Sequence, residues 1–190
     1  AHPEVRCYRY WPELSSDCRL MTKLLRDLTD YSMSDQLTKQ RSDLCNLLRR
    51  AYLSCLPLTE GTNKTLTYTS RVSCAYMPLD SPKMMEALLN LIVNALDAIS
   101  DNGSVQIILT KSNEQFVVSI TDDGCGITPK QLLTIFHPFT TTKPDGTGLG
   151  LPVAKRIIEG HGGHIRVSSA PNQGATFTFL LPCSFSSDKK

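Results

Sequence analysis

Between residues 87 and 99 the chain reads ALLNLIVNALDAI, in which Leu88, Leu89, Leu91, Ile92, Val93, Ala95, Leu96 and Ile99 are apolar. The polar interruptions Asn90 and Asn94 stand four residues apart and Asp97 follows three later, so the three share one edge of a helix. The pattern predicts a helix from about Lys83 to Ser100, preceded by Asp80, Ser81 and Pro82. Asn102-Gly103 is expected to end it, because both residues suit a left-handed cap. Such a helix is buried nearly all round and keeps a single polar edge.

Two other helical stripes precede it. Leu14, Cys18, Met21, Leu24, Leu25, Leu28 and Tyr31 recur at helical spacing over 14–32, with Ser15 or Ser16 available as N-cap. Over 43–56, Leu44, Leu47, Leu48, Ala51 and Tyr52 share one face until Pro57 stops the helix. Residues 65–77, TLTYTSRVSCAYM, are rich in β-branched and aromatic side chains and read as a strand. SVQIILT and QFVVSIT flank KSNE as a hairpin. Then come a short helix around 129–136, a polar Gly- and Thr-rich loop over 140–150 and a helix LPVAKRIIEG ending at Gly160. Two last strands, HIRVSS and ATFTFLLP, are joined by APNQG. This order predicts an α+β fold, a two-layer α/β sandwich with a mixed sheet and helices on one face, rather than a doubly wound parallel sheet.

A chain of 190 residues suffices for one main domain with a short appendage. Its 41% apolar and 20% charged residues exclude wholesale disorder. The net charge of +2, with no basic stripe interleaved with aromatics, gives no reason to expect a nucleic-acid partner. The most apolar stretch is too short to span a bilayer and no signal pattern precedes the domain. A cytoplasmic location is therefore expected, with membrane anchoring left open for the parent protein. Seven scattered cysteines without a C-x-x-C pair read as reduced structural thiols.

Three stretches carry chemistry. Two amides on a mostly buried helix need partners, since an unpaired buried amide costs about 1–3 kcal/mol. Asn90 and Asn94 therefore either bond loop backbone or present an oxygen to a hard cation such as Mg²⁺. The second stretch is TDDGCGITPK, 121–130, where the second hairpin strand stops. It is an Asp-Gly turn, or a place where the Asp122 carboxylate accepts from an exocyclic amine while Gly124 and Gly126 let a ring approach. In FHPFTTTKPDGTGLGLPVAKR, 136–156, hydroxyls, a lysine and three glycines precede a helix start. That is a flexible loop, or a phosphate cradle that is neither a Walker loop nor a G-x-G-x-x-G fingerprint.

Taken in order, NLIVNALDA, DDGCGI, FHPFTTTK and GTGLGL resemble the four ATP-binding boxes of the GHKL superfamily of gyrase, heat-shock chaperone, histidine kinase and mismatch-repair ATPases. The resemblance covers about residues 41–183. Within it, the F-x-P-F box, the compact lid and the ending GATFTFLLP resemble the catalytic domain of a bacterial sensor histidine kinase of two-component signalling. What this implies is a Bergerat-type sandwich with ATP and Mg²⁺ as cofactors. Asp122 would hold the adenine amine, Gly124, Gly126 and Ile127 would shape the ring pocket, and Asn94 would ligate Mg²⁺. Thr141, Thr142, Lys143, Gly146, Thr147, Gly148, Leu149 and Gly150 would form a lid around the triphosphate, with Thr176 assisting at the adenine side.

Asn90 and Lys143 are the candidate catalytic positions. Hydrolysing members of the superfamily have a water-activating Glu where this chain has Asn90, and an amide cannot act as a general base. The resemblance thus implies phosphoryl transfer to a histidine. None of His2, His137, His161 and His164 lies in an acceptor context, and 14–32 resembles the second helix of a dimerisation hairpin. The expectation is a fragment: 1–38 a hairpin remnant and linker, 39–183 the ATP-binding domain, 184–190 a tail. The acceptor histidine would then lie upstream of Ala1. A cognate response regulator and a homodimer of the full-length protein are the implied partners. A nucleotide-gated module of the same fold, a hydrolytic ATPase and an anti-sigma-type serine kinase are the competing readings.

Overall fold

The structure, a computed structural model, describes residues 10, 11, 13–18, 21, 22, 37–143 and 146–183. Its elements are β1 (Gln40–Asp43), α1 (Leu44–Cys55), a 3-10 turn (Leu56–Thr59), β2 (Thr65–Ser70), β3 (Tyr76–Leu79) and α2 (Ser81–Ala98). They continue with β4 (Ser104–Ser112), β5 (Gln115–Asp122), α3 (Pro129–Leu132), α4 (Gly150–Gly160), β6 (His164–Ser169) and β7 (Ala175–Pro182). Of the stripe expected over 14–32, residues 14–18, 21 and 22 are helical, and the rest lies outside the described residues.

Five strands form one mixed, open sheet in the order β2-β4-β5-β7-β6. The β2–β4 pair is parallel and the other three are antiparallel. Strand alternation sends Ile107, Leu109, Val118, Ile120, Phe177 and Phe179 to one face, where they are fully buried or nearly so. The other face carries hydroxyls, paired across strands as Ser119 with Thr178 and Thr121 with Thr176. Leu88, Leu91, Ile92 and Ala95 of α2 have no exposed surface and belong to the same core as the sheet residues. Full burial of each large aliphatic chain contributes about 1.5–3 kcal/mol. The α+β architecture expected from the sequence is thus the one observed, with α1 and α4 packed on either side of α2.

Two local expectations are corrected, and one strand was not foreseen. Residues 65–77 do not form one strand: at Ser70 the side chain donates to Val72 O and accepts from Val72 N, closing a turn. The chain then enters a separate two-stranded sheet, β3 with β1, antiparallel. The short strand β1 was hidden because Gln40–Asp43 is polar, and it pairs with β3 alone. Lastly, α2 does not end in a left-handed cap. Ile99 turns extended, with φ −88° and ψ 150°. Gly103 is instead needed for space, since a β-carbon there would stand 2.6 Å from Ile99 Cβ and 2.9 Å from Asp123 Oδ1.

The start of α2 is anchored by a buried polar cluster. Asp80 Oδ1 caps the helix by accepting from Lys83 N, and Oδ2 accepts from Thr38 N. Asp80 N donates to His161 Nε2 at 2.9 Å. Because Nε2 accepts, Nδ1 carries the proton and donates to Ile157 O at 2.7 Å. Desolvation holds the His161 imidazole below its ordinary pKa, and nearby Lys39 adds to this. The Ile157 carbonyl and Asp80 pull the other way without reversing it. A lowered folded-state value means that the unfolded chain binds the proton first, so stability is lost as pH falls below about 6.5. Unfolding followed from pH 7.5 to 5.5 should show this loss in the wild type and a flatter profile in His161→Gln. Equal slopes would refute the assignment of the neutral tautomer.

Candidate functional site

Helix α2, the loop after β5 and the loop before α4 surround a cavity of about 1470 Å³. Its lining includes Asn90, Asn94 and Asp97 from the polar edge of α2, and Cys125, Gly126 and Ile127 from the β5 loop. Thr140–Lys143 and Gly146–Gly150 close the lid side. Trp11, Leu14 and Cys18 of the N-terminal helical segment complete one wall. The sequence reading did not connect that segment with the site, because residues far apart along the chain carry no spacing signal.

The β5 loop is fixed by backbone bonds on both sides. Cys125 N donates to Ala98 O at the end of α2. Asn172 N donates to Cys125 O, and Gly174 N to Gly124 O, from the turn between β6 and β7. Ser169 Oγ accepts from Ile127 N and donates to Gly174 O. A β-carbon on Gly124 would overlap the Ala98 carbonyl, and one on Gly126, at φ +68°, would overlap the Ala170 carbonyl. Both glycines are therefore required by the protein's own packing.

Asp122 lies just behind this loop, 4% exposed. Its Oδ1 accepts from Gly124 N at 3.0 Å and Ala175 N at 3.2 Å. Among the described residues no hydrogen bond falls on Oδ2. Burial raises the Asp122 carboxyl above the ordinary range, partly offset by those two N–H groups and reinforced by Asp123. Asp123 differs: both its oxygens take Ser104 donors, which holds its carboxyl below the ordinary range. Thr176 does not join the site. It lies on the outer face of the sheet, 3.1 Å from the Thr121 hydroxyl. Its neighbour Ala175 faces Asp122, and a shift of one residue along a strand reverses the face.

The lid is held mainly through side chains. Thr141 Oγ1 accepts from Lys143 N at 3.0 Å, and Phe139, at φ +65°, donates its N–H to Gly148 O. Lys143 Nζ stands 2.8 Å from Asp97 Oδ2 and 3.2 Å from Asn94 Oδ1. Helix α4 starts at Gly150 without a side-chain cap, beside Asn90. Pro152 has no N–H and Val153 N bonds Leu149 O, so the Gly150 and Leu151 N–H groups are the ones this helix start offers to an anion in the cavity. Thr142 and Thr147 also line it, whereas Asp122 and Gly124 stand behind its surface.

Residues 79–184 match the family described as histidine kinase-, DNA gyrase B-, and HSP90-like ATPase. The chain belongs to this family. It is 32% identical over 170 residues to the sensor histidine kinase ZraS of Salmonella typhimurium, covering 89% of this chain and 37% of that one. It is 36% identical over 165 residues to the signal transduction histidine-protein kinase AtoS of Escherichia coli, covering 85% and 27%. The chain thus spans about a third of the length of these relatives. Among solved structures, the catalytic domain of the histidine kinase ThkA superposes with a TM-score of 0.70 at 29% identity, over 77% of this chain and 96% of that one.

The glycines of this ATPase-family site divide into two kinds, which unfolding measurements separate. Gly126→Ala should cost at least about 1–2 kcal/mol from its left-handed backbone alone, with further loss from the overlap at Ala170. Gly150→Ala places a β-carbon 3.6 Å from the Asn90 amide, an ordinary contact, and should leave stability unchanged or slightly raised. Equal destabilisation of the two variants would overturn this division.

Proposed function

We propose that this chain is the ATP-binding catalytic domain of a two-component sensor histidine kinase, transferring the γ-phosphoryl group of ATP to a histidine outside the chain. The observation that carries the choice of transfer over hydrolysis is the cavity's acid inventory. The position four residues before Asn94 is the amide Asn90, set beside the uncapped start of α4. Among the described residues two carboxylates line the cavity, and each is engaged by a lysine: Glu86 with Lys83 at 2.9 Å, Asp97 with Lys143 at 2.8 Å. Neither is placed as a free base to activate water. The names of ZraS and AtoS support the same reading. A response regulator is the implied downstream partner, and a dimer of the full-length protein the implied assembly.

On this reading Asp122 Oδ2 accepts the exocyclic amine of adenine, and Gly126 and Ile127 present backbone and an apolar face to the ring. The α4 N-terminus and the lid hydroxyls receive the phosphates. Mg²⁺ fits the donor set: the Asn94 amide oxygen already holds a cationic ammonium at 3.2 Å. Among the described residues no group of three His, Cys, Asp or Glu could cage a metal. That suits an ion that keeps waters and takes most ligands from phosphate. Asn94 would hold the Mg²⁺, which when bound would supply positive charge to neutralise the phosphates. Lys143 and the Gly150 and Leu151 amides would add fixed positive charge around the group transferred.

Asp122→Asn keeps an oxygen for the Gly124 and Ala175 N–H groups but turns Oδ2 into a donor, opposite a donor amine. ATP affinity measured by calorimetry should fall about 10- to 100-fold. Because burial raises the Asp122 pKa, holding it ionised costs stability as pH rises above the ordinary carboxylate range. Asp122→Asn should therefore melt at the same temperature as the wild type at pH 7, or higher. Loss of binding through unfolding would refute the role given to Oδ2.

The activity itself is tested with labelled ATP, Mg²⁺ and a separately supplied dimerisation hairpin bearing the acceptor histidine. The wild-type chain should place acid-labile label on the hairpin, and Asn94→Ala should reduce it at least about tenfold. ATP binding with no transfer to any hairpin would reduce the reading to a nucleotide-gated module. Release of inorganic phosphate as the main product would favour hydrolysis.

A further inference from the structure

The bond between Lys143 and Asn94 sets up a competition that the nucleotide reading leaves unexplained. The Lys143 ammonium lies 3.2 Å from Asn94 Oδ1, the oxygen assigned to the metal, and a hard divalent cation cannot share that oxygen with an ammonium at such a distance. What holds the ammonium there is Asp97, one helical turn beyond Asn94, at 2.8 Å. The pair joins residues 46 positions apart, tying the lid to the helix that carries the site. At the lid end, Thr141 Oγ1 and the Gly146 N–H fix the backbone of Lys143, so the side chain is aimed by a formed turn.

We propose that Asp97 is a positioning residue that latches the lid lysine Lys143 over the Asn94 oxygen. Entry of the metal-bound triphosphate then displaces the ammonium from Asn94 and passes it to the phosphates. This rests on the Mg²⁺-ATP reading of the site. In this arrangement Asp97 is neither a metal ligand nor a base. It sets the work needed to open the lid, and Lys143 reports on whether the cation seat is taken. The magnitude is limited by exposure: the side chains are 40% and 52% exposed, so solvent screens the pair and the expected effect is a few-fold change in binding.

The test is a double-mutant cycle in ATP binding by calorimetry on the whole chain, with Mg²⁺ varied: wild type, Asp97→Asn, Lys143→Gln and the double variant. Asp97→Asn should tighten Mg²⁺-ATP binding about two- to fivefold and lower the Mg²⁺ concentration for half-maximal binding by a similar factor. In the Lys143→Gln background Asp97→Asn should change neither quantity. The same tightening in both backgrounds would show that Asp97 acts only as a negative charge near a polyanion, and would overturn the latch. Weaker binding in Asp97→Asn would overturn it as well, by making Asp97 part of the cation's own surroundings. If the wild-type chain binds no ATP, the nucleotide reading fails first and the latch with it, a result distinct from both.

Discussion

The structure depends on how α2 is buried. A helix with apolar contacts on nearly every side must satisfy the few polar groups it carries, and its position admits little adjustment because interiors are close-packed. Its N-terminus is bound by Asp80 to the linker at Thr38 and by the Asp80 N–H to His161 at the end of α4. Its C-terminal carbonyl, Ala98 O, receives Cys125 N and meets Gly124. Helix, lid helix and β5 loop are thereby set against one another at both ends of α2. The amide edge between those ends faces the cavity.

The cavity has a stiff side and a yielding side. Around 122–127 the bonds to the neighbouring elements run through backbone groups, the buried Asp122 carboxylate and two serine hydroxyls, and two glycines are imposed by carbonyls that leave no room for a β-carbon. Such a loop presents a fixed edge, as recognition of a flat base requires. Across the cavity, Thr140–Lys143 and Gly146–Leu149 rely on hydroxyls, a lysine and the Phe139–Gly148 bond. Those contacts are partly exposed and individually weak, so they can be exchanged for contacts with phosphate at small cost. The division follows the parts of a nucleotide: a rigid ring and a flexible, highly charged tail.

Much of this was legible in the chain itself. The helix periodicity of 87–99, the hairpin KSNE and the glycine spacing of 146–150 are local, and local spacing maps directly onto faces. What could not be read depended on partners distant in sequence. Polar Gln40–Asp43 became a strand only because Tyr76–Leu79 lies beside it. Thr176 and Ala175 differ by one position, and only the register with Thr121 and Asp122 decides which faces the site. Asp97 stands in the sequence only as the third polar residue of an edge, and its partner Lys143 comes from the lid, 46 positions away.

That pairing explains how acids are tolerated beside a polyanion. At about 4 Å, two like unit charges at a surface-like dielectric repel by about 4 kcal/mol, enough to exclude a triphosphate from a cavity with unpaired carboxylates. Glu86 and Asp97 both line the cavity, and each has a lysine within 2.9 Å. The remaining polar positions on that edge, Asn90 and Asn94, are neutral amides that offer oxygen without adding charge. Among the described residues, the two lysines paired at this edge are already engaged, Lys83 with Glu86 and Lys143 with Asp97, and neither is left to pair with a carboxylate at position 90. The choice of amide at that position therefore removes a base and a repulsion together, and under the proposed function both consequences favour transfer to an external acceptor over hydrolysis.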